Sequence, residues 1–325
     1  MNASEPPALT RIDVHHHVVP DFYVEALARV GVTGGGGAPL PANWTVIGAL
    51  EVMDRHGIAT AIASISAPGV HFGDPASAQK LARRCNEFVA ELADRYPGRF
   101  GGFAILPLPD VDASLKELEY ALDTLRLDGV ILLSSIRGGY RPAAPRFADL
   151  FDELNRRRSI VFLHPDRLPE DQDADSPVPP YLVDFVYDTT RAVAELIYSG
   201  TLHRAPDIDL IVAHAGGTVP YIAWRLAQLE KRPQYRDRLP EGVMYYLKRF
   251  HYDTVLSASR YPLSCLRELA GPSRILFGSD YAFVPEAVVE ASVRRLKEYQ
   301  GFDDTSLADV EQGNAKRLFR RFDAG

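Results

Sequence analysis

Two histidines spaced two apart, His15 and His17, close an apolar run that begins at Arg11. On a β-strand residues i and i+2 face the same way, so both imidazoles can turn to one ion while His16 faces the opposite side. Single histidines end further short apolar runs at His164 and His214, and Asp280 ends a fourth. Any one of these histidines alone reads as a hydrogen-bonded core residue. The set reads as a metal centre, because imidazole and carboxylate are the donors a catalytic divalent ion takes. Three nitrogens and one oxygen from His15, His17, His164 and Asp280 leave a coordination position open, as a catalytic site requires. Spacing leaves His214 two roles: a fifth ligand, or a group beside the ion that moves protons. Asp13, two residues before His15, and Asp166, next but one to His164, are weaker candidates for supporting acids.

Donors so far apart in sequence need a fold that gathers strand ends. Eight short apolar segments recur at 11–17, 61–68, 100–108, 129–134, 160–165, 210–216, 251–256 and 275–280. Most are continuous rather than alternating, the mark of parallel strands covered on both faces. Helical spacing fills 75–96, 112–125, 147–157, 189–202 and 262–269, with Gly98 and Gly271 near two of the ends. The length suits one large barrel or two smaller domains, and the pattern decides for a single (β/α)8 TIM barrel over 1–325. An open doubly wound sheet would carry a glycine-rich phosphate turn after its first strand, and 15–20 has none. The glycine-rich 34–43 and the acidic, proline-rich 167–180 follow strands one and five, where lids over a barrel mouth arise. The charged run 231–239 reads as solvated surface or a subunit contact.

Acidic and basic side chains number 43 and 36, a formal net charge of -7, and are interspersed, so nucleic acid is not an expected partner. Two cysteines, Cys85 and Cys265, lie in helical stretches and read as free thiols of a reducing compartment, the cytoplasm. The first ten residues lack a basic start and an apolar core, and no apolar run approaches the roughly 18 residues that cross a bilayer. Neither export nor membrane insertion is expected.

The motifs Ile12-Asp-Val-His-His-His17, Phe162-Leu-His-Pro165, Ala213-His-Ala-Gly-Gly217, Phe277-Gly-Ser-Asp-Tyr281 and Gly313-Asn-Ala-Lys-Arg-Leu-Phe319 together resemble the amidohydrolase superfamily. More narrowly, the chain is similar to the branch of aminocarboxymuconate semialdehyde decarboxylase and the metal-dependent decarboxylases of resorcylate and methylsalicylate. The resemblance implies that His15, His17, His164 and Asp280 bind one divalent metal, zinc first and manganese as the alternative, with no organic cofactor. It implies that His214 is the acid/base histidine, with Asp280 sharing proton transfer, in a homodimer. The semialdehyde enzyme grips substrate carboxylates with two arginines, one lying eleven residues after the acid/base histidine on a neighbouring subunit; Arg225 has that spacing. The other belongs to the loop after strand one, and here 31–53 contains no arginine or lysine. That departure favours a small aromatic or unsaturated monocarboxylate, with Trp44 or Phe72 against an aromatic ring. The reaction implied is non-oxidative decarboxylation. Hydrolysis of a lactone or amide on the same frame is the alternative, and an inactive barrel serving as a binding protein is the third.

Overall fold

A computed structural model describes residues 7–136, 139–166 and 177–323. Eight parallel strands in sequential order make one sheet: β1 (Arg11–His17), β2 (Ile58–Ser64), β3 (Phe100–Ile105), β4 (Gly129–Leu133), β5 (Ile160–His164), β6 (Asp209–Val212), β7 (His251–Asp253) and β8 (Ile275–Leu276). Every residue of β1 and β3 is buried, which is why β3 reads as an unbroken apolar run. The sheet closes on itself at the β8–β1 seam. There the Val14 N–H donates to the Phe277 carbonyl (3.0 Å), the Asp280 N–H to His15 (2.8 Å) and the His17 N–H to Tyr281 (2.6 Å).

Helices cover the outside, and their starts are capped locally. Asp74 accepts from the Ser77 N–H (3.0 Å) at the start of helix Pro75–Arg95, and Asp110 from Ala113 (3.0 Å) at the start of Val111–Glu119. The helix expected at 189–202 begins earlier, at Pro180, and ends at Tyr198; proline at a first helical position is favourable, so the proline-rich stretch starts a helix rather than ending a loop. Helices Asp21–Arg29, Val46–Arg55, Val243–Arg249 and Glu286–Glu298 add to those expected. Residues 167–176 of the expected second lid lie outside the described residues. The 231–239 run is mostly exposed around the short helix Pro233–Arg236. Among the described residues no helix is long and apolar enough to cross a membrane, and Cys85 and Cys265 are free.

Inside the barrel Phe162 stacks on Phe103 with ring centroids 5.4 Å apart, a dry apolar floor. The C-terminal segment closes the opposite end. Arg11 pairs with Glu311 (2.6 Å), and Asn314, from the terminal motif, donates to the carbonyls of Pro272 (2.8 Å) and Ile275 (2.7 Å). That motif therefore holds the barrel rather than the chemistry.

Gly129 opens β4 where the neighbouring strand comes closest: a Cβ there would sit 2.3 Å from the Ile160 carbonyl oxygen. Gly129→Ala is expected to force β4 from β5 and cost about 1–3 kcal/mol, the usual scale of overpacking, read as a lower urea midpoint; an unchanged midpoint would refute this close-packing account.

Candidate metal centre

Strand ends from β1 and β5, together with the segment just past β8, bring four donors to one point. The ligating atoms of His15, His17, His164 and Asp280 all lie within 4.8 Å of one another, and all four residues are buried. His15 and His17 Nε2 are 3.0 Å apart, and Asp280 Oδ1 lies 3.4 and 3.2 Å from them. The other nitrogen of each imidazole is held from outside. His15 Nδ1 donates to Asp253 Oδ2 (2.7 Å), His17 Nδ1 to Ser64 Oγ (2.9 Å) and His164 Nδ1 to the Pro165 carbonyl (2.7 Å). Ser64 passes its own proton to the His16 carbonyl (3.3 Å), which leaves its oxygen free to accept. With every Nδ1 hydrogen-bonded outward, the Nε2 atoms face inward, the arrangement metal-binding histidines require. The donor set fits a divalent ion.

Electrostatics agree. Burial opposes charge on His15, but the carboxylates of Asp253 and Asp280 outweigh it and push its pKa up to about 10. Burial, reinforced by the charges of His15 and His16, pushes His17 down to about 4 against the pull of Asp280. Burial and the neighbouring histidines hold His164 well below the usual imidazole range. For Asp280, burial favours the neutral acid, yet the charge on His15 and hydrogen bonds from three histidines keep it well below the usual carboxylate range.

His214 stands beside this set rather than within it. Its Nε2 lies 3.6 Å from Asp280 Oδ2, its buried Nδ1 has no partner among the described residues, and its ring centroid is 5.1 Å from that of His15. The backbone at His214 is left-handed (φ 53°), as it is at Asp280 (φ 59°), a conformation costly for residues with a Cβ. Asp253 holds the first of these turns: its Oδ1 accepts the His214 N–H (2.9 Å) while its Oδ2 holds His15.

Several sequence expectations are corrected here. The carboxylate on the His15 ring is Asp253, while Asp13 Oδ1 accepts the His15 backbone N–H (3.1 Å). A register irregularity in β1 between Asp13 and His16 breaks the simple alternation. The Asp13 carboxylate also meets the His16 ring (3.0 Å) and Ser279 N (2.9 Å) and Oγ (2.5 Å), tying β1 to the segment after β8. Asp253 ends the three-residue β7, whereas the segment read from the sequence runs on to 256 and leaves it inside a strand. Trp44 and Phe72 have neighbours other than the donors. Trp44 immediately precedes Thr45, the cap of helix Val46–Arg55, and its buried ring packs on Phe88 (6.1 Å). Phe72 lines a groove with Phe22, Leu81 and Arg84. The rings beside the cluster are Phe283, 5.3 Å from His17, and Phe185, 6.3 Å from His164 and 6.4 Å from His214. Phe185 sits under the glycine-rich loop after β1: a Cβ on Gly36 would lie 2.0 Å from the Phe185 ring, so only glycine lets the loop seat there. No sequence signal marked Phe185, because its helix began in a stretch read as loop. Arg225 is exposed on helix Val219–Ala227, between Trp224 and the half-buried Leu226.

A family model described as Amidohydrolase matches residues 12–321. The chain belongs to the amidohydrolase family. The 6-methylsalicylic acid decarboxylase of Penicillium expansum is 34% identical over 96% of this amidohydrolase and 97% of its own length. The gamma-resorcylate decarboxylase of Rhizobium radiobacter is 30% identical over 83% of this chain and 86% of its own. A crystal structure of 2,6-dihydroxybenzoate decarboxylase complexed with 2,6-dihydroxybenzoate superimposes with a TM-score of 0.78 at 25% identity, covering 97% and 99% of the two chains.

Because His15 carries a proton near neutral pH, an ion entering this amidohydrolase must displace it from Nε2. Calorimetric titration with a divalent metal at pH 7.5, in buffers of different ionisation enthalpy, should read about one proton released per ion, since bound histidine is neutral. His17→Ala and Asp280→Ala should each abolish tight binding; proton-neutral binding would refute a charged His15 in the empty site, and retention of the ion by both variants would rule out this centre.

Proposed function

We propose that this amidohydrolase is a metal-dependent decarboxylase of a small phenolic aromatic acid of the salicylate or resorcylate type. The observation that carries the reading is the pairing of Asp280 with His214: one carboxylate oxygen faces the metal-ligand imidazoles and the other lies 3.6 Å from His214 Nε2. The named activities of the relatives support it. The bound ion, proposed as zinc with manganese the alternative for three imidazoles and a carboxylate, supplies positive charge that anchors and polarises substrate oxygens.

The chain's own residues do the rest. His214, exchanging a proton with Asp280 Oδ2, delivers it to the ring carbon bearing the carboxylate; the C–C bond then breaks, carbon dioxide leaves, and its electron pair restores the aromatic ring. Phe185 and Phe283 supply apolar faces for the substrate ring. The loop seated on Phe185 by Gly36 carries no basic residue, in keeping with a single carboxylate, and helps exclude water. The two free cysteines support a cytoplasmic location.

Arg225 is proposed to hold the substrate carboxylate of a neighbouring subunit. On its helix Tyr221 and Trp224 expose 84% and 77% of their surface, and large aromatics so exposed mark protein contact. Arg225 lies well along that helix, and each turn carries a side chain roughly 5.4 Å further from the strand end, so a partner's mouth is the simpler destination.

With 6-methylsalicylate or 2,6-dihydroxybenzoate, the metal-loaded protein is expected to release carbon dioxide and the corresponding phenol. His214→Ala should keep its metal and fold while kcat falls by roughly a hundredfold or more, the scale of a lost general acid. Lactone or amide turnover without carbon dioxide would replace the reading with hydrolysis.

Arg225→Ala and His17→Ala chains, each inactive alone, should recover activity once mixed and exchanged, because some mixed dimers hold one intact site. Verified exchange with no recovery would place Arg225 outside the site.

A further inference from the structure

His15 is oriented by a carboxylate and His17 by a hydroxyl, but His164 leans on a peptide group. Its Nδ1 donates to the Pro165 carbonyl (2.7 Å), and the N–H of that same peptide, on Asp166, donates to Ser134 Oγ (3.1 Å). Ser134 lies just past β4, anchored by its own N–H to the His164 carbonyl (2.8 Å). Its hydroxyl proton goes to Asp188 Oδ2, on helix Pro180–Tyr198. Asp188 is also held by Ser135 Oγ (3.0 and 3.1 Å) and by Arg141 Nη1 (2.5 Å).

We propose that Ser134 and Asp188 are positioning residues for the metal ligand His164, acting through the Pro165–Asp166 peptide; the assignment rests on the metal-centre reading above. A peptide unit is planar, so fixing its N–H fixes the direction of its carbonyl. Ser134 has one proton, and because Asp188 takes it, a lone pair faces the Asp166 N–H. That bond holds the Pro165 oxygen on His164 Nδ1 and keeps Nε2 as the free lone pair. The chain carboxylate, hydroxyl, peptide, imidazole is also polarised in one direction, each bond strengthening the next, so His164 becomes a better donor to the ion. Ser135 shares the carboxylate but does not touch the peptide, which makes it the natural control.

The test measures Co2+ affinity of the full-length protein by competition with a chromophoric chelator, with melting temperatures in parallel. Ser134→Ala should weaken Co2+ binding by about ten- to a hundredfold, the scale for losing a group that orients a ligand, and Ser134→Thr, which restores the hydroxyl, should recover most of it. Asp188→Asn should weaken binding by about tenfold and shift the visible spectrum of bound Co2+, and it carries the test alone if Ser134→Ala does not fold. Ser135→Ala should bind Co2+ within about twofold of the parent, even if it melts earlier. Wild-type affinity in folded Ser134→Ala or in Asp188→Asn, or equal losses in Ser134→Ala and Ser135→Ala, would overturn the assignment. His164→Ala separates the two levels: if it too binds Co2+ as the parent does, the metal-centre reading fails, whereas if it alone loses the ion, only the relay fails.

Discussion

One carboxylate holds the two halves of the site together. Asp253 spends one oxygen on the His15 imidazole and the other on the backbone N–H groups of His214 (2.9 Å) and Val255 (3.0 Å). The first bond fixes which His15 nitrogen faces the ion; the second holds a left-handed residue in place. Strain of that kind costs of order 1–3 kcal/mol per residue and persists only where surrounding bonds over-determine it. Without Asp253 the metal ligand from β1 and the histidine after β6 would lose their shared reference point.

Packing four ionisable groups into a buried pocket is unfavourable unless their charges offset one another. Here a positive His15 lies between Asp253 and Asp280, while His17 and His164 stay neutral. The site is thus balanced for an incoming cation: the proton it displaces is the one that satisfied the carboxylates. Phe162, 4.8 Å from His15 and stacked on Phe103, keeps the floor beneath dry, so these interactions act at low dielectric.

Above the donors the walls come from segments that are not strands. Phe283 follows Asp280 around the turn after β8, and Phe185 comes from the helix after β5, pressed by the loop after β1. The same helix carries Asp188 one turn further on, so the element that supplies a wall is also bonded to the end of β4. Metal support and pocket shape are mechanically linked through it.

The barrel and the four donors were legible in the sequence because both follow local rules. Parallel strands buried on two faces leave unbroken apolar runs, and donors at their ends stand out against that background. Asp253 went unmarked because its segment reads on to 256, which hides that the strand ends at this carboxylate. Tertiary structure alone decided what lies beside the donors. Asp13 reaches the His15 backbone N–H, the His16 ring and Ser279 rather than the His15 ring, and Trp44 packs onto Phe88. Phe185 entered the site because a loop without side chains let it approach. Strand periodicity is written in neighbouring residues, whereas the walls and supports of this site depend on contacts between segments far apart in the chain, which no local pattern encodes.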